Sequence, residues 1–116
     1  MDNCIFCKIL RDEIPAHKIY EDNDLIAFND IHPAAPVHFL IIPRMHIPSL
    51  MECEKTHQQI LGKMLLLAAT IAKEQGCTDG FRTIINTGRV GGQEVFHLHT
   101  HIIGSKDRLP AMIHQN

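Results

Sequence analysis

Two hydrophobic periods divide this chain into elements. Between residues 4 and 12, Ile5, Phe6, Ile9 and Leu10 fall on one stripe, which predicts a short helix that stops before Pro15. His17–Glu21 and Leu25–Phe28 read as strands, and Asp22-Asn23-Asp24 between them is turn chemistry, so 17–28 predicts a hairpin. Asp30 to Pro36 holds two prolines and reads as a loop. Val37–Ile42 is an uninterrupted strand closed by Pro43. After Pro48 and Ser49 the period changes: Ile60, Leu61, Met64, Leu67, Ala68, Ile71 and Ala72 predict one long helix over about residues 54–75, with Gly76 as its stop. Phe81–Asn86 and Val95–Ile103 are predicted as the last strands, separated by a loop containing Gly88, Gly91 and Gly92. No firm pattern follows Gly104. The order predicts an α+β domain: a mainly antiparallel sheet of about five strands, one long helix and a short N-terminal helix. Without βαβ alternation, a doubly wound sheet is not expected.

Bulk composition narrows the function. With 116 residues, 45% of them hydrophobic, the chain reads as one domain over 1–116 with a real core. A net charge of −2 argues against nucleic-acid binding, which calls for a basic excess. A mononucleotide remains possible, since a few amides and histidines can hold one. The start Met-Asp-Asn-Cys-Ile-Phe-Cys-Lys has no basic region before an apolar run, and no stretch reaches the roughly 18 apolar residues of a membrane span. A cytoplasmic protein without membrane association is expected, whose four cysteines are thiols or ligands rather than disulfides. Nine histidines and no tryptophan point to chemistry. His17, His57 and His114 lack any motif and read as surface scatter.

The chemistry concentrates in His97-Leu98-His99-Thr100-His101. On a strand, alternate side chains share a face, so the three histidines project together while Leu98, Thr100 and Ile102 project oppositely. Three imidazoles on one face are costly if buried without partners. They could hold a catalytic metal, or one could act as a nucleophile held by the others. Gly91-Gly92-Gln93-Glu94 precedes them, and glycine loops let backbone N–H groups approach phosphate oxygens. That favours phosphoryl or nucleotidyl transfer.

The run Gly91 to Ile103 resembles the signature of the histidine triad (HIT) family, most closely its nucleotide-binding HINT branch. Ile5-Phe6-Cys7-Lys8-Ile9, Glu13-Ile14-Pro15, Ala27-Phe28-Asn29-Asp30-Ile31, Ala35-Pro36-Val37-His38, Ile41-Ile42-Pro43 and Ile85-Asn86 agree in order and spacing. The resemblance implies a HIT-like fold and hydrolysis of purine nucleoside 5′-phosphoramidates to a nucleoside monophosphate, such as AMP or GMP, and an amine. It makes His99 the nucleophile, His101 its phosphate-side partner and His38 a support of the network. It places phosphate oxygens against Asn86 and backbone amides near Gly92, Gln93 and Val95, the ribose against Asp30, and the base among Phe6, Ile9, Phe28 and Ile31. Glu94 stands where many relatives carry a serine that contacts the leaving-group side.

Cys4-x-x-Cys7 alone is a weak signal that reads as small packing residues or a redox pair before metal ligands, and the redox reading lacks its βαβ setting. The resemblance adds His46 and His97, giving a closed Cys₂His₂ set suited to structural zinc. Cys53 and Cys77 have no comparable partners. The resemblance also implies a homodimer, and a helix apolar over more than one face around Leu61–Leu67 agrees with it. Two further functions stay open: dinucleoside polyphosphate hydrolysis, the work of another triad branch, and a non-enzymatic nucleotide-binding module.

Overall fold

The computed structural model describes residues 3–113. His114 lies outside them. α1 spans Ile5–Leu10, β1 Lys18–Glu21, β2 Leu25–Asn29, β3 Val37–Pro43, α2 Gln58–Glu74, β4 Arg82–Ile84 and β5 Thr100–Gly104. The strands form one antiparallel sheet in the order β1-β2-β3-β5-β4, which places β5 in the interior between β3 and β4.

Strand alternation sorts the core into two layers. Leu25, Ala27, Phe39, Ile41, Leu98 and Ile102 face α2, which contributes Met64, Ala68, Ile71 and Ala72. Ile26, Phe28, Leu40 and Ile42 face the other way and meet Phe6 and Ile9 of α1. The pattern Leu25-Ile26-Ala27-Phe28 is fully apolar because both faces of β2 are covered.

The turns follow from local chemistry. Asp22 Oδ1 accepts from the N–H groups of Asp24 (2.7 Å) and Leu25 (2.8 Å), which closes the β1–β2 hairpin. The Cys4 side chain caps α1 by accepting from Cys7 N–H. Gly76, at φ +95, stops α2: its N–H bonds Lys73 O and that of Cys77 bonds Ala72 O, which buries Cys77 against the core.

Three boundaries differ from the sequence expectation. α2 begins at Gln58 rather than near 54, because the preceding chain forms 3₁₀ turns at Leu50–Glu52 and Lys55–His57. His57 is not mere surface scatter there: its Nδ1 accepts from Glu54 N–H at 2.9 Å. β4 is shorter than Phe81–Asn86. β5 pairs only over Thr100–Gly104, not from Val95. Thr100 stands opposite Ile41, and beyond that point Pro43 has no N–H for a ladder. Leu98 N–H instead bonds the carbonyl of Ile47 at 2.7 Å. The facing pattern survives outside the ladder, since Leu98 still enters the α2-side core.

Candidate active site and metal centre

The α1 side of the sheet carries a hollow of about 480 Å³. Phe6, Ile9, Phe28 and Leu40 give it an apolar end, and His99, His101, Asn86 and Val95 a polar one. Asp30, Ile31, Gly92 and Glu94 also line it. A larger hollow, about 710 Å³, opens between β4 and the segment after Gly104, but no histidine or cysteine lines it.

Hydrogen bonds fix the proton positions of the histidines. His99 Nδ1 lies 2.7 Å from the carbonyl oxygen of His97, which can only accept, so Nδ1 carries the proton. Among the described residues nothing bonds Nε2 of His99, which keeps its lone pair. Burial holds the His99 pKa below the ordinary range, with that carbonyl and Asp30 opposing. Phe6 meets the His99 ring edge-to-face at 5.0 Å.

His38 and His101 are diagonal neighbours on one sheet face, since His38 pairs with Ile103 and Leu40 with His101. Ala34 N–H donates to His38 Nδ1 at 2.9 Å, so the His38 proton sits on Nε2. That N–H faces His101 Nδ1 at 3.0 Å and, less closely, Asp30 Oδ2 at 3.4 Å. His101 accepts at Nδ1 and therefore presents an N–H at Nε2. Burial, then the neighbouring His99 and His38, lowers the His101 pKa, while Asp30 opposes.

Donor atoms of Asp30, His38 and His101 all lie within 4.8 Å of one another, close enough for a metal. The Ala34 contact argues against one. A cation on His38 Nε2 would move the ring proton to Nδ1, where another N–H already points.

The glycine loop is built differently from the sequence expectation. Gly92 N–H bonds Arg89 O at 3.1 Å and is not free for a phosphate. Gln93 is buried and lies outside the hollow. Its side chain accepts from Gly88 N–H at 2.8 Å and donates to Pro48 O (2.7 Å) and Val95 O (3.0 Å). Gln93 therefore staples the loop. Gly91 is needed for close approach, since a Cβ there would stand 2.4 Å from Thr87 O. The N–H groups of Glu94 and Val95 have no hydrogen bond to another described residue.

Cys4, Cys7, His46 and His97 converge beneath α1, with all four donor atoms within 4.8 Å. His46 Nδ1 lies 3.2 Å from His97 Nδ1 and 3.3 Å from Cys7 Sγ. Cys4 Sγ is 3.4 Å from His97 Nδ1, and Cys7 Sγ 3.5 Å. Zinc bonds of about 2.0 Å to nitrogen and 2.3 Å to sulfur give tetrahedral edges of about 3.3–3.8 Å, so the set fits zinc. The second sphere fits too. His97 Nε2 donates to Pro43 O at 2.8 Å, which leaves Nδ1 bare as a ligand. Burial pushes the His97 pKa down to about 4, which keeps that nitrogen unprotonated. With two thiolates and two imidazoles and no open position, such a centre is structural.

Sequence reasoning missed Leu40, Asn29, Ile14 and Ala16 as further lining residues. Leu40 was within reach, because it shares a strand face with His38. The Ala34 N–H and Pro43 carbonyl contacts had no sequence signal, since every residue has a backbone carbonyl and every one but proline an N–H.

The imidazoles of His99 and His101 thus line one hollow together with the unbonded amide of Val95, next to the cluster of Cys4, Cys7, His46 and His97. The chain matches the family described as “Scavenger mRNA decapping enzyme C-term binding” over residues 3–115. It is 59% identical over 105 residues to protein HitA of Neisseria gonorrhoeae, covering 90% of this chain and 98% of that one. It is 45% identical over 115 residues to the purine nucleoside phosphoramidase of Escherichia coli K12, covering 98% and 97%. A 14 kDa zinc-binding protein of Zea mays is 44% identical over 104 residues, covering 88% and 81%. The structure of a HIT family hydrolase from Clostridium thermocellum superposes with a TM-score of 0.91 at 44% identity, covering 97% and 99%. The chain belongs to the histidine triad (HIT) family. No described helix is long and apolar enough to cross a membrane.

Proposed function

We propose that this protein is a purine nucleoside phosphoramidase that works through a nucleotidyl intermediate on His99. The observation that carries the reading is the His97 carbonyl on His99 Nδ1, which leaves Nε2 as the reactive atom. The identity to a purine nucleoside phosphoramidase over nearly the whole chain supports the same reaction.

The base of AMP or GMP packs among Phe6, Ile9, Phe28 and Leu40, with Ile31 at the rim, and Asp30 accepts from the ribose hydroxyls. Val95 N–H, Asn86 and His101 Nε2–H take the α-phosphate oxygens and stabilise the charge that grows there. His99 Nε2 attacks phosphorus. The P–N bond breaks, its electron pair stays on nitrogen, and the amine departs after taking up a proton. His99 is then a cationic nucleotidyl-imidazole, and its Nδ1–H bond to the His97 carbonyl strengthens. Water adds to phosphorus, loses a proton, and releases the monophosphate and neutral His99. His38 orients His101 throughout. Cys4, Cys7, His46 and His97 would hold zinc, which would fix the segment that carries His99 and take no part in the bond changes.

Leu65 and Leu66 of α2 are 51% and 75% exposed, and both lie outside the core stripe, which supports a homodimer through this helix. Comparing turnover of adenosine 5′-phosphoramidate and a dinucleoside triphosphate on one preparation tests the function. Preference for the phosphoramidate supports it, and preference for the triphosphate, or nucleotide binding without turnover of either, overturns it.

A further inference from the structure

α1 serves two sites at once. Its six residues are too few to hold a helix in water without outside contacts. On one side Phe6 and Ile9 wall the apolar end of the hollow that carries His99. On the other, Cys7 and the cap residue Cys4 reach the histidines of the metal set. Cys4 Sγ lies 3.4 Å from His97 Nδ1, and Cys7 Sγ lies 3.3 Å from His46 Nδ1. The groups that seat the base wall are therefore the metal ligands themselves.

The two sulfurs are also neighbours of each other. Cys7 N–H donates to Cys4 Sγ at 3.3 Å, and Lys8 N–H bonds Cys4 O at 3.1 Å, which closes the turn between them. Residues three apart on such a turn have Cα atoms about 5 Å apart. That lies inside the span of about 4.4–6.8 Å that a disulfide bridges. Access to the pair is unequal. Cys7 is buried at 6% exposure, whereas Cys4 is half-buried and lines a hollow of about 330 Å³ beside Asn3 and Phe96. Cys4 packs with the α1-side layer, away from α2. A bound metal holds both sulfurs as thiolates, the form that attacks peroxides.

We propose that Cys4 and Cys7 are an oxidation site through which hydroperoxides weaken nucleotide binding. A small hydroperoxide reaches Cys4 through the hollow beside Asn3 and Phe96. The Cys4 thiolate attacks its outer oxygen: the S–O bond forms, the O–O bond breaks, and the departing oxyanion takes a proton from water. The Cys7 thiolate then attacks the Cys4 sulfur. The S–S bond forms, the S–O bond breaks, and hydroxide leaves as water after protonation. The peroxide gains the two electrons that the sulfurs lose. His46 and His97 remain as ligands, too few to retain zinc. α1 loses its tie to them, and the wall of Phe6 and Ile9 loosens with it. His99 keeps its bond to the His97 carbonyl, so the base pocket is affected and the reacting nitrogen is spared. The pair is oxidised and is not a redox catalyst, so it needs no βαβ setting. The oxidation rests on the Cys₂His₂ set alone, and only its effect on nucleotides rests on the reading of the hollow.

The test treats the zinc-loaded protein with hydrogen peroxide beside a chromogenic chelator too weak to strip the untreated protein. Zinc should be released in step with the loss of thiols, and peptide mapping should link Cys4 to Cys7 within one chain. At a temperature where circular dichroism shows both forms folded, the oxidised protein should bind AMP about 3- to 10-fold more weakly by calorimetry. A thiol reductant with added zinc should restore the affinity. Cys53→Ser should change none of these results. Zinc retained through the treatment, or released with Cys4 not linked to Cys7, overturns the oxidation site. AMP affinity equal in both forms, or absent from both, overturns its coupling to the wall of Phe6 and Ile9. The zinc and mapping readouts do not depend on turnover, so a protein that hydrolyses no phosphoramidate would overturn the proposed function and leave this site standing.

Discussion

The backbone carbonyl of His97 accepts the Nδ1 proton of His99 at 2.7 Å, while the His97 ring faces away into the Cys4–Cys7–His46 cluster. One residue thus serves two sites, its side chain as a metal ligand and its carbonyl as the group that fixes its neighbour's tautomer. With Nδ1 engaged, the lone pair of His99 is confined to Nε2. Substituting His99 with Ala or Asn should lower the release of nucleoside monophosphate by at least about a thousand-fold, because no described neighbour offers an equivalent free imidazole nitrogen. Steady-state assay with a fluorogenic phosphoramidate checks this, and turnover within a few-fold of wild type would remove His99 from the role.

Metal removal should act on the fold before the chemistry. Burial and the adjacent Cys4 raise the Cys7 thiol pKa, so without a metal that thiol keeps its proton beside two close imidazoles. Chelation, or Cys7→Ser, should lower Tm by about 5–15 °C, a few kcal/mol for a chain of this size. At temperatures where the fold persists, turnover per folded molecule should stay within a few-fold. Calorimetry with and without added zinc reads the first effect. Stoichiometric loss of turnover with unchanged Tm would assign the metal to catalysis.

Much of this arrangement is legible in the sequence, for reasons tied to particular residues. The alternation around His97, Leu98 and His99 places the side chains correctly even though the ladder starts only at Thr100, because facing depends on backbone extension and not on pairing. The two apolar layers follow from runs such as Leu25–Phe28, which need cover on both sides. Gln93 and Gly92 were less readable. A glycine loop before histidines signals phosphate contact, but which N–H groups are free depends on turns closed by Arg89 O and Gly88 O, and those carbonyls belong to the backbone. The start of α2 was hidden likewise, since 3₁₀ and α turns share their residue preferences.

His101 should impose an acid limit on the rate. Burial and its histidine neighbours hold its pKa below the ordinary value of about 6.5. Its neutral form accepts from His38 at Nδ1, and protonation there breaks that bond. The acid limb of kcat/KM should therefore have its midpoint below about pH 6.5, with full activity above it. His38→Ala should cut kcat more than it raises KM, since it frees the His101 ring. A midpoint above 6.5 or an unchanged kcat in the variant contradicts this network.

If α2 forms the dimer face, a charge in its centre should split it. Leu66, the more exposed of the adjacent pair, makes no contribution to the core stripe. Leu66→Glu should yield a monomer by light scattering with little loss of the monomer's own fold by circular dichroism, because the side chain already faces water in one copy. An unchanged wild-type dimer in this variant would place the interface elsewhere.

The hairpin at Asp22 should give the fold a marked acid sensitivity. Partial burial pushes its carboxyl pKa up, but Tyr20 OH, the N–H groups of Asp24 and Leu25, and the Lys63 ammonium outweigh burial and hold it well below the usual range. Lys63 lies on α2, so this carboxylate ties the hairpin to the helix, with Lys63 Nζ 3.0 Å from Asp22 Oδ2. A folded-state pKa below the unfolded one means that stability is fully present above about pH 4 and is lost as pH falls through the depressed value. Asp22→Ala removes the turn acceptor together with the charge and should cost about 1–2 kcal/mol at neutral pH. The difference from wild type should shrink as pH falls below about 4, where the Asp22 carboxyl of the unfolded chain gains its proton while the folded one keeps its charge. Urea unfolding of both proteins at pH 7 and pH 3 measures it, and a difference of the same size at both would show that the charge has no part in it.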